Sequence, residues 1–324
     1  MLRAILYEHE IRRLIGVPGE GGLIVDGVAP LEDGEDRCLY FINKKVSIAV
    51  CDTLAALQGC IVIAPSGSNL ADQLGNCLVL ETPDPRATIA KVLGFIRAEG
   101  RQLPVVASRT IAPSAVISAL AFVDGDVEIG DGAVIEPFCV VGPDVRIGCG
   151  SILRSGARVY PRVTIGDESV IGANTVVGHE GYGFVRDEMG NKTRIPHLGG
   201  VVIGSHVDIG ALTTVLSGTI SPTVIEDHAK IDDHVHVGHN VRIEKGASVT
   251  AGVVIGGHAV VESEAWVGIN SSIRDGRRIG SRALVGMDVS VQQDLAENAV
   301  ARAPRPDVRL HTENDSDTIG FKDQ

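Results

Sequence analysis

The sequence predicts a mainly β fold: a parallel β-helix of hexapeptide repeats behind a small N-terminal α/β domain. Three observations carry that prediction. Aliphatic residues return at every sixth position, as at Ile225, Ile231, Val237 and Ile243. That period belongs neither to an amphipathic helix nor to an alternating strand, and marks stacked β-helical coils. Glycine is abundant, at 39 of 324 residues, while aromatics make up only 3%. Small residues at the corners of a solenoid account for both. Finally, residues 1–105 lack the beat and read instead as short apolar strands and one helix.

Those strands are expected at Leu23 to Val28, Cys38 to Ile42 and Cys60 to Ala64, the first and last followed by the turn-rich PLEDGED and PSGSN. Asp84-Pro85 opens a helix, with proline at its favoured first position and apolar residues at helical spacing through ATIAKVLGFIRAE. Val17 to Gly22 is glycine-rich but has neither a preceding strand nor a P-loop lysine, so it reads as a loop and not a phosphate cradle.

From Ile111 the beat runs without a miss to Val177. Gly130, Gly142, Gly148, Gly166, Gly172 and Gly178 each follow the in-phase aliphatic, where a corner is expected to need positive φ. Residues 179–200 interrupt with GYGF, DEMGN and Ile195-Pro196, a loop thrown out from the column, and such insertions tend to carry function. The beat resumes at Ile203, skips four residues after Val215 and restarts at Ile225, to end at Val291. At three hexapeptides per coil this makes roughly nine coils, a column on the order of 40 Å tall at the inter-strand spacing. The expected division is therefore 1–105, 106–295 and a cap with a polar tail at 296–324.

The charge balance, 29 basic against 41 acidic residues and a net −12, argues against nucleic-acid binding and a polybasic membrane patch. No apolar run is long enough to span a bilayer, and the N-terminus is too charged for a secretory signal, so a cytoplasmic location is expected. The six cysteines, Cys38, Cys51, Cys60, Cys77, Cys139 and Cys149, show no CxxC and read as small buried thiols of a reducing compartment, with a catalytic thiol the sharper alternative.

The specific pieces GVAPLEDGEDRCLYFINKK, IAPSAVI, VVGHEGYGF, RIPHLGGVVIGSHVDIGALTT and KIDDHVHVGHNVRI resemble the UDP-3-O-acylglucosamine N-acyltransferases of lipid A biosynthesis. The likeness runs from about Leu23 to Pro304, and the N-terminal segment with the interrupting loop is its most specific part. The resemblance implies a left-handed β-helix and a homotrimer with active sites between subunits. It implies an acyl group passing from a phosphopantetheine thioester, on acyl carrier protein or CoA, to the amine of a UDP-amino sugar, with no permanently bound cofactor or metal. Such a reaction needs a base for the amine proton and a donor for the tetrahedral oxyanion.

By the same resemblance, His239 of the HN motif is the base, Asp232 orients its ring or stabilises its cation, and the Gly257 N–H is the oxyanion donor. Asn240 helps hold the site, and the uracil pocket maps onto Tyr40 and Asn43. For Tyr40 and Asn43 a strand-core and a turn role stand as equal alternatives. The sequence also departs from the family. Its second histidine falls at Gly276, the aromatic expected after Asn43 is Val46, TTIDRG becomes Thr213 to Gly218 as TTVLSG, and a proline-rich tail replaces the long C-terminal helix. Short-chain transfer from acyl-CoA to another UDP-amino sugar is the competing acceptor and donor reading.

Two further readings belong to other classes. His234 and His239 reproduce the H-x4-H spacing of trimeric β-helical carbonic anhydrases, with His197 or His258 as a third ligand. A column without activity would be a scaffold. Arg274, Arg277, Arg278 and Arg282 form a basic cluster that suits the phosphates of CoA or an acidic carrier, or else ordinary wet corners, and Trp266 suits an acyl channel or a subunit contact.

Overall fold

A computed structural model describes residues 1–42, 48–186 and 189–304. The N-terminal unit is a five-stranded sheet in sequential order: β1 (Leu2–Tyr7), β2 (Ile24–Val28), β3 (Cys38–Phe41), β4 (Cys60–Pro65) and β5 (Cys77–Thr82). Only the β1–β2 pair is antiparallel. The strands β3 and β4 are apolar at nearly every position and buried on both faces, as parallel strands between helical layers must be. Helices α1 (Glu8–Ile15) and α3 (Pro85–Ala98) cover one side with Ile11, Val92, Leu93 and Ile96, while α2 (Ile48–Ala55) covers the other with Leu54. Helix α3 starts as its sequence dictates: the Asp84 carboxylate accepts the N–H groups of Arg86 and Ala87, both at 2.9 Å.

From Thr110 the chain winds through three faces in turn, and each strand pairs in parallel with the one a coil away, as Val116 with Val134 and Val134 with Ile152. Among the described residues the faces hold nine, ten and nine strands. The second face ends with Val300–Ala301 paired to Leu284–Val285, so pairing continues past residue 295. The fold is a left-handed parallel β-helix of hexapeptide repeats. Its core is one continuous aliphatic stack from Val127 to Val291.

Corner geometry corrects one expectation. Of the six glycines that follow the aliphatic, only Gly178 has positive φ, at 88°. The left-handed residue sits two places further on, for example Asp144 (60°), Asn174 (57°), His234 (58°) and His258 (60°). Asparagine, aspartate and histidine are the side chains that tolerate this region best. The glycines serve close stacking instead: a Cβ on Gly172 would lie 2.3 Å from the backbone carbon of Gly210 one coil on. Gly172→Ala should therefore destabilise the protein by about 3 kcal/mol, because backbone meets backbone and no rotamer relieves it. Gly132→Asn, at an open left-handed corner (φ 67°), should be nearly neutral. Urea melts of the two variants check this; equal midpoints would contradict it.

The insertion folds back instead of standing free. Phe184–Arg186 and Lys192–Arg194 form an antiparallel hairpin. Val185, Ile195 and Leu198 join the α1/α3 core of the N-terminal unit. Arg97 of α3 pairs with Glu180, and Gln102 donates to the Leu198 carbonyl at 3.3 Å. Lower down, the Asp144 carboxylate caps the N–H groups of Val105 and Val106, and Arg162 donates to the Leu103 carbonyl. The insertion thus bridges the sheet unit to the third-to-first corner of the column.

Candidate active site

His239 lies at that corner, between the strands His236–Val237 and Arg242–Ile243. Its neighbours along the chain explain its isolation from the pattern. The other corner histidines, His206, His228, His234 and His258, occupy left-handed positions, but here Asn240 takes that conformation (φ 58°) and His239 precedes it.

Asn240 fixes the state of the ring. Its Oδ1 accepts the Thr219 N–H and hydroxyl, each at 3.0 Å, and its Nδ2 donates to the Ser221 carbonyl at 2.9 Å. Since a backbone N–H can only donate, the amide orientation is determined. The same Oδ1 lies 3.2 Å from His239 Nδ1, so Nδ1 carries the proton and Nε2 keeps the lone pair. Thr219 and Ser221 belong to the four residues that break the beat after Val215. That skip makes the bracket for Asn240.

Nε2 faces Gly257, one coil on: a Cβ built on Gly257 would lie 2.7 Å from it. Among the described residues no acceptor takes up the Gly257 N–H. Equivalent turn amides elsewhere are capped by carboxylates, as Ala211 is by Asp233 and Cys149 by Asp167. A lone pair and an unused N–H therefore stand together, the two groups that general-base attack on a carbonyl requires.

Two more imidazoles flank the ring. His258 is T-shaped to it at 5.1 Å between centroids, and its backbone N–H donates to the His239 carbonyl. His197, carried in by the insertion, is edge to face at 4.9 Å. Burial, then the neighbouring His239, pushes the His197 pKa down to about 4. This shift has a consequence for stability. The unfolded chain takes up a proton near pH 6.5, but the folded chain does not until about pH 4. Stability from this residue is therefore complete above pH 6.5 and is lost as the pH falls toward 4, by at most about 3 kcal/mol. His197→Gln should flatten that dependence in urea melts at pH 7.5 and 4.5; an unchanged difference between the two pH values would contradict it.

The remaining candidates fall elsewhere. Asp232 does not reach the His239 ring within one chain. It sits on the second-to-third corner, with one carboxylate oxygen accepting the Asp233 N–H at 2.8 Å and the other the Ala251 N–H at 3.1 Å. Within one chain the side chain that holds the imidazole is Asn240. Of its two alternatives, Tyr40 takes the strand-core one. It is 0% exposed, and its hydroxyl donates to the Glu35 carbonyl (2.6 Å) and accepts the Glu35 N–H (2.7 Å). A side chain enclosed between Leu54, Leu57 and Val62 offers no face to a base. Asn43 and Val46 lie outside the described residues.

His234 is exposed at the preceding corner, and His236 is held on the third face by Thr214 Oγ1 at 2.9 Å. Among the described residues no group of three or more His, Cys, Asp or Glu side chains is arranged to hold a metal. Each arginine of the basic cluster has an acidic neighbour: Arg274 with Asp275, Arg277 with Asp294, Arg278 with Glu262 and Arg282 with Glu297. Trp266 is 49% exposed on the second face, away from the third-to-first corner. The six cysteines are free thiols, Cys149 exposed, and burial pushes Cys38 up to about 12 and Cys77 up to about 11. Those two are thiols, not thiolate nucleophiles, at neutral pH. Among the described residues no helix is long and apolar enough to cross a membrane.

Known proteins resemble this chain in sequence. The family described as bacterial transferase hexapeptide (six repeats) matches residues 144–179 and 222–257, the second range containing His239 and Gly257. The chain is 37% identical over 285 residues to a UDP-3-O-acylglucosamine N-acyltransferase of Delftia acidovorans, covering 88% of this chain and 81% of that protein. It is 44% identical over 245 residues to UDP-3-O-acylglucosamine N-acyltransferase 2 of Legionella pneumophila, covering 72% and 68%. Among solved structures, a UDP-N-acetylglucosamine acyltransferase from Campylobacter jejuni matches with TM-score 0.49 and 25% identity, over 65% of this chain and 81% of that one.

Proposed function

Since the chain belongs to the UDP-3-O-acylglucosamine N-acyltransferase family, and is an acyltransferase of lipid A biosynthesis, we propose that it acylates the amine of a UDP-amino sugar. The donor is a phosphopantetheine thioester, on acyl carrier protein or CoA, consumed as a co-substrate with no resident cofactor. The observation that carries this reading is His239, with its Nδ1 proton fixed by Asn240 and its Nε2 turned to the Gly257 backbone.

In the proposed reaction the sugar amine attacks the thioester carbonyl and Nε2 takes the amine proton. The carbonyl oxygen becomes an oxyanion and accepts the Gly257 N–H. The intermediate then collapses, the C–S bond breaks, and the leaving thiolate takes the proton back from the imidazolium. Asn240 keeps the ring in the tautomer that can do this, since a proton on Nε2 would block the first step. The working unit is a homotrimer, with neighbouring copies completing the walls of the site. The uridine end of the acceptor is held by the N-terminal unit, which the insertion ties to the same corner.

The experiment is direct. Purified protein is given a panel of UDP-sugars bearing a free amine, with acyl-CoA and acyl carrier protein thioesters of several chain lengths, and thiol release is followed. Release that depends on the amino sugar supports the reading; none with any pair overturns it. The preferred pair names the acceptor and donor.

A further inference from the structure

The proposed reaction leaves His197 without work. It is 5% exposed, and its Nδ1 is buried with no hydrogen-bond partner among the described residues. An unpaired buried polar atom is costly, and an apolar side chain would avoid the cost. Yet the surroundings are shaped for this ring. A Cβ on Gly181 would lie 2.7 Å from His197 Nε2 and 3.1 Å from His239 Cβ, and one on Gly183 would lie 3.0 Å from His197 Cε1. Both glycines of GYGF therefore vacate volume that the ring needs. The backbone is held on both sides: the N–H reaches Glu180 Oε1 at 3.3 Å, and the carbonyl accepts Ser217 Oγ at 3.3 Å. Glu180 is in turn ion-paired with Arg97 of α3.

We propose that His197 is a positioning residue for His239: a ring seated in a glycine-lined slot, anchored through Glu180 to the N-terminal unit, that fixes the plane of the base. The catalytic consequence rests on the acyl-transfer reading above; the ring contact does not. Asn240 holds one edge of the His239 ring through Nδ1, which leaves rotation about that bond open, and the His197 ring packed T-shaped at 4.9 Å restricts it. With its burial holding it neutral, His197 acts by shape and not by charge.

Two readouts on the full chain test this. The first is kinetic. His197→Ala should lower kcat by about 10-fold, since displacements of an ångström cost up to about 100-fold, with KM for both substrates within about two-fold. His197→Gln, which refills the slot with a planar group, should restore kcat to within about three-fold of wild type. The second is hydrogen–deuterium exchange at the His239 imidazole C2, read by mass spectrometry, which does not depend on catalysis. It should accelerate several-fold in His197→Ala and return toward wild type in His197→Gln. Unchanged exchange, or a folded His197→Ala protein with wild-type kcat, overturns the proposal. Glutamine as inactive as alanine also overturns it and points to proton transfer by His197. A wild-type protein that transfers no acyl group sinks the functional reading, while the exchange rates still decide the ring contact.

Discussion

His239→Ala is expected to lower acyl transfer by at least about 100-fold, the range for losing a positioned general base. The fold should not follow. The ring is only partly buried, and its side-chain hydrogen bond among the described residues is the one to Asn240. Asn240 keeps its bonds to Thr219 and Ser221 without it, so the corner stays bracketed. The coil is held by the ladder of backbone bonds on either side, Gly238 to Ile255 and Arg242 to Ala259 among them. Turnover and melting temperature measured together check this; turnover within about three-fold of wild type would remove His239 from the role of base.

Gly257→Ala is expected to cost about 100- to 1,000-fold in kcat, the scale of losing one oxyanion donor. Gly257 is not among the glycines with positive φ, so alanine is allowed by the backbone. Its methyl group, however, would stand 2.7 Å from His239 Nε2 and 2.9 Å from Cε1. The nearest atoms belong to a side chain, so the ring gives way and the fold does not. One methyl group would thus displace the base and occupy the space where the oxyanion must meet the N–H. A melting temperature within a few degrees of wild type with kcat collapsed is the expected pair of results. Retained kcat would contradict the shared pocket.

How legible this was in the sequence differs from part to part. The column was readable because each coil is the same local solution repeated: an aliphatic inward every sixth residue, paired only with its neighbours. His239 stood out as a candidate because it falls on a motif. Its partner did not. The motif suggested Asp232, which a three-sided coil puts on a different corner of the same chain, and within that chain the ring bond comes from the next residue, Asn240. That role depends on Thr219 and Ser221, which a four-residue break in the beat brings into reach.

His197 was harder still. It reaches His239 because Val185, Ile195 and Leu198 pack into a core assembled from residues far away in sequence. Only its appearance as a possible third metal ligand hinted that it lay near. Tyr40 stayed open between two roles for a physical reason: an aromatic on a short strand can face outward from an antiparallel sheet, but β3 is parallel and covered on both sides. The corner glycines misled, since a period shows where small residues recur without saying whether φ or close stacking demands them.

Amine acylation by His239 is decided by the mass and linkage of the product. The purified protein, an acyl thioester and a UDP-amino sugar should yield a nucleotide sugar heavier by one acyl group. That group should resist mild alkali, as an amide does, and be absent with His239→Ala. An alkali-labile ester, or the same amide formed at an equal rate by the variant, would contradict the account.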